Sequence, residues 1–505
     1  MLIPSMETDD FILTQSLQDL AEDLELLREM ATSGRERLRR FRTQLASSPT
    51  HFQKDTRIFL MKLLEEPEQL YKTLQEELKI RHDRLAEGLA LKQRAADALR
   101  SLHGICAGII TAPDWQSPSY DHSLISQAGR ETGKIIGTSN DYKRDHHADA
   151  AAYEKKFAKE YIDGVLRAPV RVFATGSGMA AVSTVAVCLK SESKNDGIVL
   201  AGAGTYFENK NVLRQIFGER LRFTDEMDIP AILKIVAREK PQIIFLDTLC
   251  NTDSMAMPDL ARLIPALARE VKRPTFLVLD NSALSVTFQP LSVFPRVSPH
   301  LCLIVIESLN KFHQYGFDRV TGGIIWTQGS LAEKIFRTRM HLGTNIPDAS
   351  ALALPEPNRA WLEKRLTRIG RNTRQLAEAC DERMRYLKKS PFEKIIYPGL
   401  PSYPGYAWTQ KQKFHGGFFV FSFKPKFRRV GIYQKFLEKI MQRAKQEKVG
   451  LIAGTSFGLD VTRIYLTALH ASRDAEPFIR VSVGTETLWE LEQLKRVFLH
   501  VIKHF

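Results

Sequence analysis

The stretch TFLVLDNSALSVTFQPLSVFPRVSPHLCLIVIESLNK, residues 275–311, decides the fold. It holds two apolar runs, TFLVLD (275–280) and CLIVIE (302–307), each ending in polar residues. A short, continuous apolar run bounded in this way is the pattern of a strand buried on both faces. Working outward, similar runs stand at RVFA (171–174), GIVLAG (197–202), LRF (221–223), QIIFLD (242–247) and GGIIW (322–326). Most are separated by helix-like segments such as 179–190, 229–239 and 258–270. Strands alternating with helices predict an α/β domain around a mostly parallel sheet. In such sheets ligands bind beyond the carboxyl ends of the strands, which is where the unusual residues of this chain fall.

The flanks read differently. Leu17, Leu20, Leu24 and Leu27, and again Leu70, Leu74, Leu78, Leu85 and Leu89, recur at mostly three- and four-residue spacing, so residues 1 to about 105 are expected to be helical throughout. Pro67 is expected to start the second stripe from a first-turn position, and SSPT (47–50) reads as a break between helices. The arginines of RERLRRFR (35–42) suit an exposed helix face. The apolar stripes need a surface to bury against: each other, the rest of the chain, or a partner. Residues 331–385 are again helical in pattern, and EKIIYPG, GGFFVFSF, GLIAG and FIRVSVG in the tail predict a smaller α+β domain with helices near 431–448 and 486–504. The expected division is 1–105, 106–165, 166–330, 331–385 and 386–505.

With 505 residues, 44% hydrophobic and 26% charged, the chain has globular composition and room for two to four domains. Basic residues exceed acidic ones by 72 − 58 = 14, which fits a solvated basic surface and would also favour an anionic ligand. No zinc-finger or RNP signature accompanies that charge, so no nucleic-acid partner is expected. The five cysteines, Cys106, Cys188, Cys250, Cys302 and Cys380, are scattered without metal-ligand spacing and read as reduced, mostly core thiols. MLIPSMETDD lacks a secretory pattern and no apolar run is long enough to span a bilayer, so a cytoplasmic protein without a membrane partner is expected.

Asp280 ends one apolar strand in LVLDNS, and Lys311 follows the next in IESLNK. Adjacent strand ends can bring a carboxylate and an amine to opposite edges of one ring. A site for pyridoxal 5'-phosphate needs those two groups: a lysine for the Schiff base and a carboxylate beside the pyridine nitrogen. It also needs a phosphate cradle. ATGSGMAAV (174–182) is a small-residue turn after a strand that opens into a helix, so the N–H groups of Gly178 and Met179 would face a dianion, with Ser308 adding a hydroxyl.

These motifs resemble the Cys/Met-metabolism family of fold-type I pyridoxal-phosphate enzymes, the group of cystathionine γ-synthase, cystathionine γ-lyase and methionine γ-lyase. The similarity runs from roughly 135 to 500 through DYKRDHHADAAAYEKKFAKEY (141–161), SGMAA (177–181), LDNS, SLNK (308–311), YPGLPSYP (397–404), GGFFVFSF (416–423) and IRVSVGTE (479–486). The resemblance implies that Lys311 carries the cofactor and shuttles protons, and that Asp280 pairs with the ring nitrogen. It implies that Tyr206 stacks on the ring and aids proton traffic, although a packed aromatic is the plainer reading of a tyrosine there. Gly178, Met179, Ser308 and Asn310 would bind phosphate, joined by Tyr142 and Arg144 from the neighbouring subunit of a homodimer or dimer of dimers. Arg480 would take the substrate's α-carboxylate, the alternative being a surface ion pair.

Other positions depart from the family. Asn251 stands where the family asparagine approaches the cofactor's 3'-oxygen, but DTLCNTDSM (247–255) lacks the following proline. YGFDRVTGG (315–323) loses the usual histidine, and GTSFGLDVTR (454–463), with Thr455 on the substrate side, replaces a Ser-Leu-Gly-Gly loop. Drift on the substrate side with cofactor positions retained implies familiar carbanion chemistry on an altered amino acid. The expected activity is that of a lyase or transferase working by γ- or β-elimination or replacement. O-acylated homoserine, cystathionine and bulkier amino acids such as S-adenosylmethionine are candidate substrates. The alternatives are another fold-type I reaction (transamination, decarboxylation or Cα–Cβ cleavage) or a non-catalytic binding or scaffold protein built on the helical extension.

Overall fold

The structure, a computed structural model, describes residues 6–47, 54–80, 84–112, 147–164, 169–193, 197–296, 298–387, 389–467 and 476–505. Helices α1 (Met6–Ser47), α2 (Lys54–Glu77) and α3 (Leu85–Thr111) make up the extension, and α4 (Ala148–Tyr161) leads into the large domain. The leucine stripes bury against one another and against the body of the protein: α1 packs on α2, α3 and the last helix of the chain, and α3 on the segment Asp348–Ala353. Pro67 lies inside α2 and does not start it. The buried row Leu60, Leu64, Tyr71 and Leu74 continues through it, and that packing offsets the hydrogen bond which the missing N–H forfeits.

The large domain follows the expected alternation. Its strands are β1 (Val170–Thr175), β2 (Val199–Gly202), β3 (Leu221–Thr224), β4 (Ile243–Asp247), β5 (Thr275–Asp280), β6 (Leu301–Ser308) and β7 (Gly323–Gln328). They form one sheet in the order β1-β7-β6-β5-β4-β2-β3. β3, β2, β4, β5 and β6 run parallel, while β7 is antiparallel to both β6 and β1. The helices between them include α5 (Gly178–Glu192), α6 (Phe207–Phe217), α7 (Ile229–Glu239) and α8 (Leu260–Glu270). Side chains of α7 and α8 pack on one face of the sheet with Ile244 and Leu277, and those of α5 and α6 on the other with Ile243 and Val278. That double coverage explains why the strands read as unbroken apolar runs. α5 starts where it does because the Ser177 hydroxyl accepts the Ala180 N–H at 2.9 Å.

Beyond α9 (Leu331–Leu342) and α10 (Arg359–Arg385), the small domain has β8 (Phe392–Ile396), β9 (Phe418–Phe423), β10 (Ile452–Ala453), β11 (Arg463–Thr467) and β12 (Phe478–Ser482), with α11 (Val430–Glu447) and α12 (Leu488–His504). Its sheet runs β10-β11-β12-β9-β8. The sequence pattern did not mark β11 as a strand. Arg480 sits mid-sheet, opposite Val420 of β9 and Tyr465 of β11, while its neighbours Ile479 and Val481 are buried in the core. Strand alternation therefore sends Arg480 to the other face, toward the large domain.

Candidate active site

Where β4, β5 and β6 end and α5 and α6 begin, a cavity of about 290 Å³ opens between the large sheet and the small domain. Gly178, Met179, Tyr206, Asn251, Asp280, Ser308, Asn310, Lys311, Thr455 and Arg480, all singled out from sequence, line it together. Tyr142 and Arg144 lie outside the described residues.

Parallel register places Asp280 beside Asp247 on β4. The Asp280 carboxylate accepts from the Asn209 amide at 3.1 Å and from the Ser282 N–H at 3.0 Å. Asp247 accepts the backbone N–H of Tyr206 at 3.1 Å, which fixes the start of α6 and thus the tyrosine. Burial raises both carboxyl pKa values, and the nearby Asp280 raises that of Asp247 further. Two buried carboxyls side by side cannot both stay ionised unless a positive partner arrives.

Lys311 stands three residues beyond the end of β6. Its Nζ donates to the Ser456 hydroxyl at 3.0 Å and lies 5.0 Å from the centre of the Phe457 ring. Burial, and then the charge of Arg480, lower its pKa to about 8. Arg480 is only 3% exposed. It donates to the Asn251 side-chain oxygen at 2.8 Å and to the Ser456 carbonyl at 3.1 Å, while its Nε is buried without a hydrogen-bond partner. Burial brings its pKa down to about 10. An under-satisfied, desolvated guanidinium facing a cavity is suited to a carboxylate.

Asp247 and Ser456 were not singled out from sequence. Ser456 has a φ of +75°, a costly conformation for a non-glycine residue, and one held here by two hydrogen-bond partners. Gly458 (φ +83°) lets this loop reach the lysine turn, since a Cβ there would stand 2.8 Å from the Lys311 carbonyl carbon. Thr455 touches the cavity, and its carbonyl accepts from Arg463 at 3.1 Å. Asn310 uses its side-chain oxygen to hold the Gly322 N–H at 3.0 Å.

Among the described residues, no cluster of side chains suits a metal ion, and no helix is long and apolar enough to cross a membrane. The five cysteines are free thiols, four of them buried.

Residues 106–496 match the family of Cys/Met metabolism PLP-dependent enzymes, and the chain belongs to that family. It is 23% identical over 336 residues to the bifunctional enzyme flvA of Aspergillus flavus, a match covering 65% of this chain and 38% of that protein. It is 26% identical over 377 residues to cystathionine gamma-lyase of Dictyostelium discoideum, covering 71% of this chain and 86% of that one. Among solved structures, cystathionine gamma-lyase from Lactobacillus plantarum, complexed with L-serine, superposes with a TM-score of 0.59 at 20% identity, covering 77% of this chain and 97% of that one. The fold is that of fold-type I PLP-dependent enzymes, as expected.

The residues present fit the family's cofactor. A Cβ on Gly178 would come within 3.0 Å of the Ser308 Cβ and 3.3 Å of its hydroxyl, so glycine keeps room between the α5 terminus and Ser308 for a phosphate. The Gly178 and Met179 amides occupy the first two helical positions, where no intrahelical acceptor exists. A protonated ring nitrogen would bring positive charge to the crowded Asp247–Asp280 pair, whose carboxyls burial disfavours as anions.

Proposed function

We propose that this chain is a pyridoxal-phosphate-dependent lyase or transferase that eliminates or replaces a group at the γ- or β-carbon of an amino acid. The observation that carries this reading is the Lys311 amine, buried, lowered to a pKa of about 8, and set in one cavity with Asp280 and Arg480. Bound there, the cofactor supplies an electron sink for the carbon beside the substrate amine. Lys311 would hold the cofactor covalently, and its amine, once free, would move protons at Cα and Cβ. Asp280 would hold the ring nitrogen's proton. Gly178, Met179, Ser308 and Asn310 would seat the phosphate. Arg480, aimed by Asn251 and the Ser456 carbonyl, would orient the substrate's carboxylate, and Tyr206 would cover the ring and relay protons. Tyr142 and Arg144 would complete the phosphate site from a second subunit of a homodimer acting in the cytoplasm.

The test is an absorbance spectrum of protein loaded with pyridoxal phosphate, followed by product analysis with a panel of amino acids. A visible cofactor band that Lys311→Ala removes, with release of ammonia and a 2-oxo acid, is the expected result. Conversion of the cofactor to its amine form would indicate transamination instead. A protein that stays colourless after loading would overturn the reading.

A further inference from the structure

Four carboxylates line the cavity among the described residues: Glu208, Asp247, Asp280 and Glu307. Three have work within the protein. Asp280 is held by Asn209 and Ser282, Asp247 takes the Tyr206 amide, and Glu307 is paired with His313 at 2.9 Å. Glu208, at the second position of α6, is hydrogen-bonded to the phenol of Tyr206, a neutral donor, and makes no salt bridge among the described residues. The first turn of a helix favours an ionised carboxylate. Glu208 lines the same cavity as Tyr206, Lys311 and Arg480, the room where substrate must lie. Tyr206 and Phe457 add aromatic faces to the same wall, and Phe457 already has the Lys311 amine over its ring. A carboxylate among aromatic faces is the chemistry that recognises a fixed organic cation.

We propose that the substrate is an amino acid whose γ-substituent bears a fixed positive charge, a sulfonium or quaternary ammonium seated against Glu208. The inference rests on the roles assigned above to Lys311 and Arg480. Such a group also suits Tyr206: burial, and then Glu208, raise its pKa above that of an ordinary phenol, which makes it a poor acid for a departing thiolate. In γ-elimination from S-methyl-L-methionine, the Cγ–S bond breaks with both electrons going to sulfur, so dimethyl sulfide leaves neutral and unprotonated. One water is taken up, and 2-oxobutanoate, ammonium and a proton are released. Methionine's leaving thiolate must instead acquire a proton to depart as methanethiol. The cavity of about 290 Å³ must hold the cofactor as well as substrate, which favours a compact cation as probe.

The experiment compares S-methyl-L-methionine with L-methionine on the loaded full-length protein, wild type against Glu208→Gln and Glu208→Asp. Dissociation constants for both ligands are measured by calorimetry on Lys311→Ala. Wild type should favour the sulfonium by tenfold or more in kcat/KM, with the same preference in affinity. Glu208→Gln keeps a group that can bond to Tyr206 but removes the charge, and should lower that ratio roughly ten- to hundredfold, whereas Glu208→Asp should retain most of it. Equal treatment of the two ligands by wild type, or a ratio unmoved in Glu208→Gln, overturns the proposal. If neither compound is turned over, the affinity ratio on Lys311→Ala decides by the same criteria, and absence of binding by either overturns it. A missing Lys311-dependent cofactor band would mark failure of the underlying functional reading, which the spectrum reports separately.

Discussion

A lysine amine must be neutral to attack the cofactor's aldehyde, so in the role proposed for Lys311 its environment would set how readily the protein takes up pyridoxal phosphate. With a pKa of about 8, roughly a tenth of the amine is neutral at pH 7, against fewer than about one in a thousand for an ordinary lysine. The rate of cofactor incorporation into the cofactor-free protein, followed by stopped-flow absorbance, should rise about tenfold per pH unit below 8 and level off above it. Burial is the larger cause and Arg480 the second, so Arg480→Met should move the midpoint upward while leaving it below an ordinary lysine's. Gly178 invites a second test at this scale. In Gly178→Ala the new methyl meets Ser308 where the phosphate is expected, and loss of one or two phosphate contacts should weaken cofactor affinity by about 1–3 kcal/mol. Equilibrium dialysis against pyridoxal phosphate measures that loss, and a thermal melt of the cofactor-free variant shows whether its fold is intact.

Among the elements, the three helices of the extension carry a titratable group that the site does not use. His103 on α3 is buried beside Tyr71 and Phe317, with ring centres 6.1 and 5.6 Å away. Burial, and then Arg37, lower its pKa to about 4. The unfolded chain therefore binds a proton there between pH 6.5 and 4 that the folded chain refuses. Stability should be fully present above 6.5 and fall on acidification by up to about 3 kcal/mol across that window. Urea titrations at pH 7 and pH 4.5 should show a smaller pH dependence in His103→Gln than in wild type. The extension's helices were legible in sequence because leucines recur along one face, as the central strands were because both their faces are covered. Asp280 and Lys311 could be placed because the first ends such a strand and the second stands three residues beyond the next. Asp247 gained meaning only from strand register, and Ser456 only from a loop turned at positive φ against a lysine far away in sequence. β11 escaped notice because its apolar run, Ile464 to Leu466, is only three residues long between Arg463 and Thr467. Pro67 misled because packing across a helix can outweigh one lost hydrogen bond.

At the scale of the whole molecule, buried apolar side chains run without interruption from Leu20 and Leu99 of the extension through Leu277 of the large sheet to Phe421 of the small one. Ion pairs fasten the same joint. Arg368 on α10 donates to Asp23 and Glu22 of α1 at 2.6 Å each and lies 3.7 Å from Asp19, while Arg371 grips Asp19 at 2.8 Å. Asp23 is also paired with Lys92 of α3 at 2.8 Å. From α1, Asp19 and Ser16 then accept the Leu488 and Trp489 N–H groups, so the extension supplies part of the cap of α12. Removing the arginine leaves acidic side chains buried with one cation fewer, the circumstance in which a broken buried pair costs about 3–5 kcal/mol. Arg368→Ala should accordingly lower the denaturation midpoint and make α1 the first site of limited proteolysis. Arg368→Lys should recover only part of the loss, because one ammonium cannot present a planar fork to carboxylates on both sides. Since α12 and α10 belong to the body that also positions Arg480, loosening this joint should weaken substrate binding before it alters the cofactor spectrum. A variant that unfolds in one step with wild-type protease resistance would instead mean that apolar packing alone holds the extension in place.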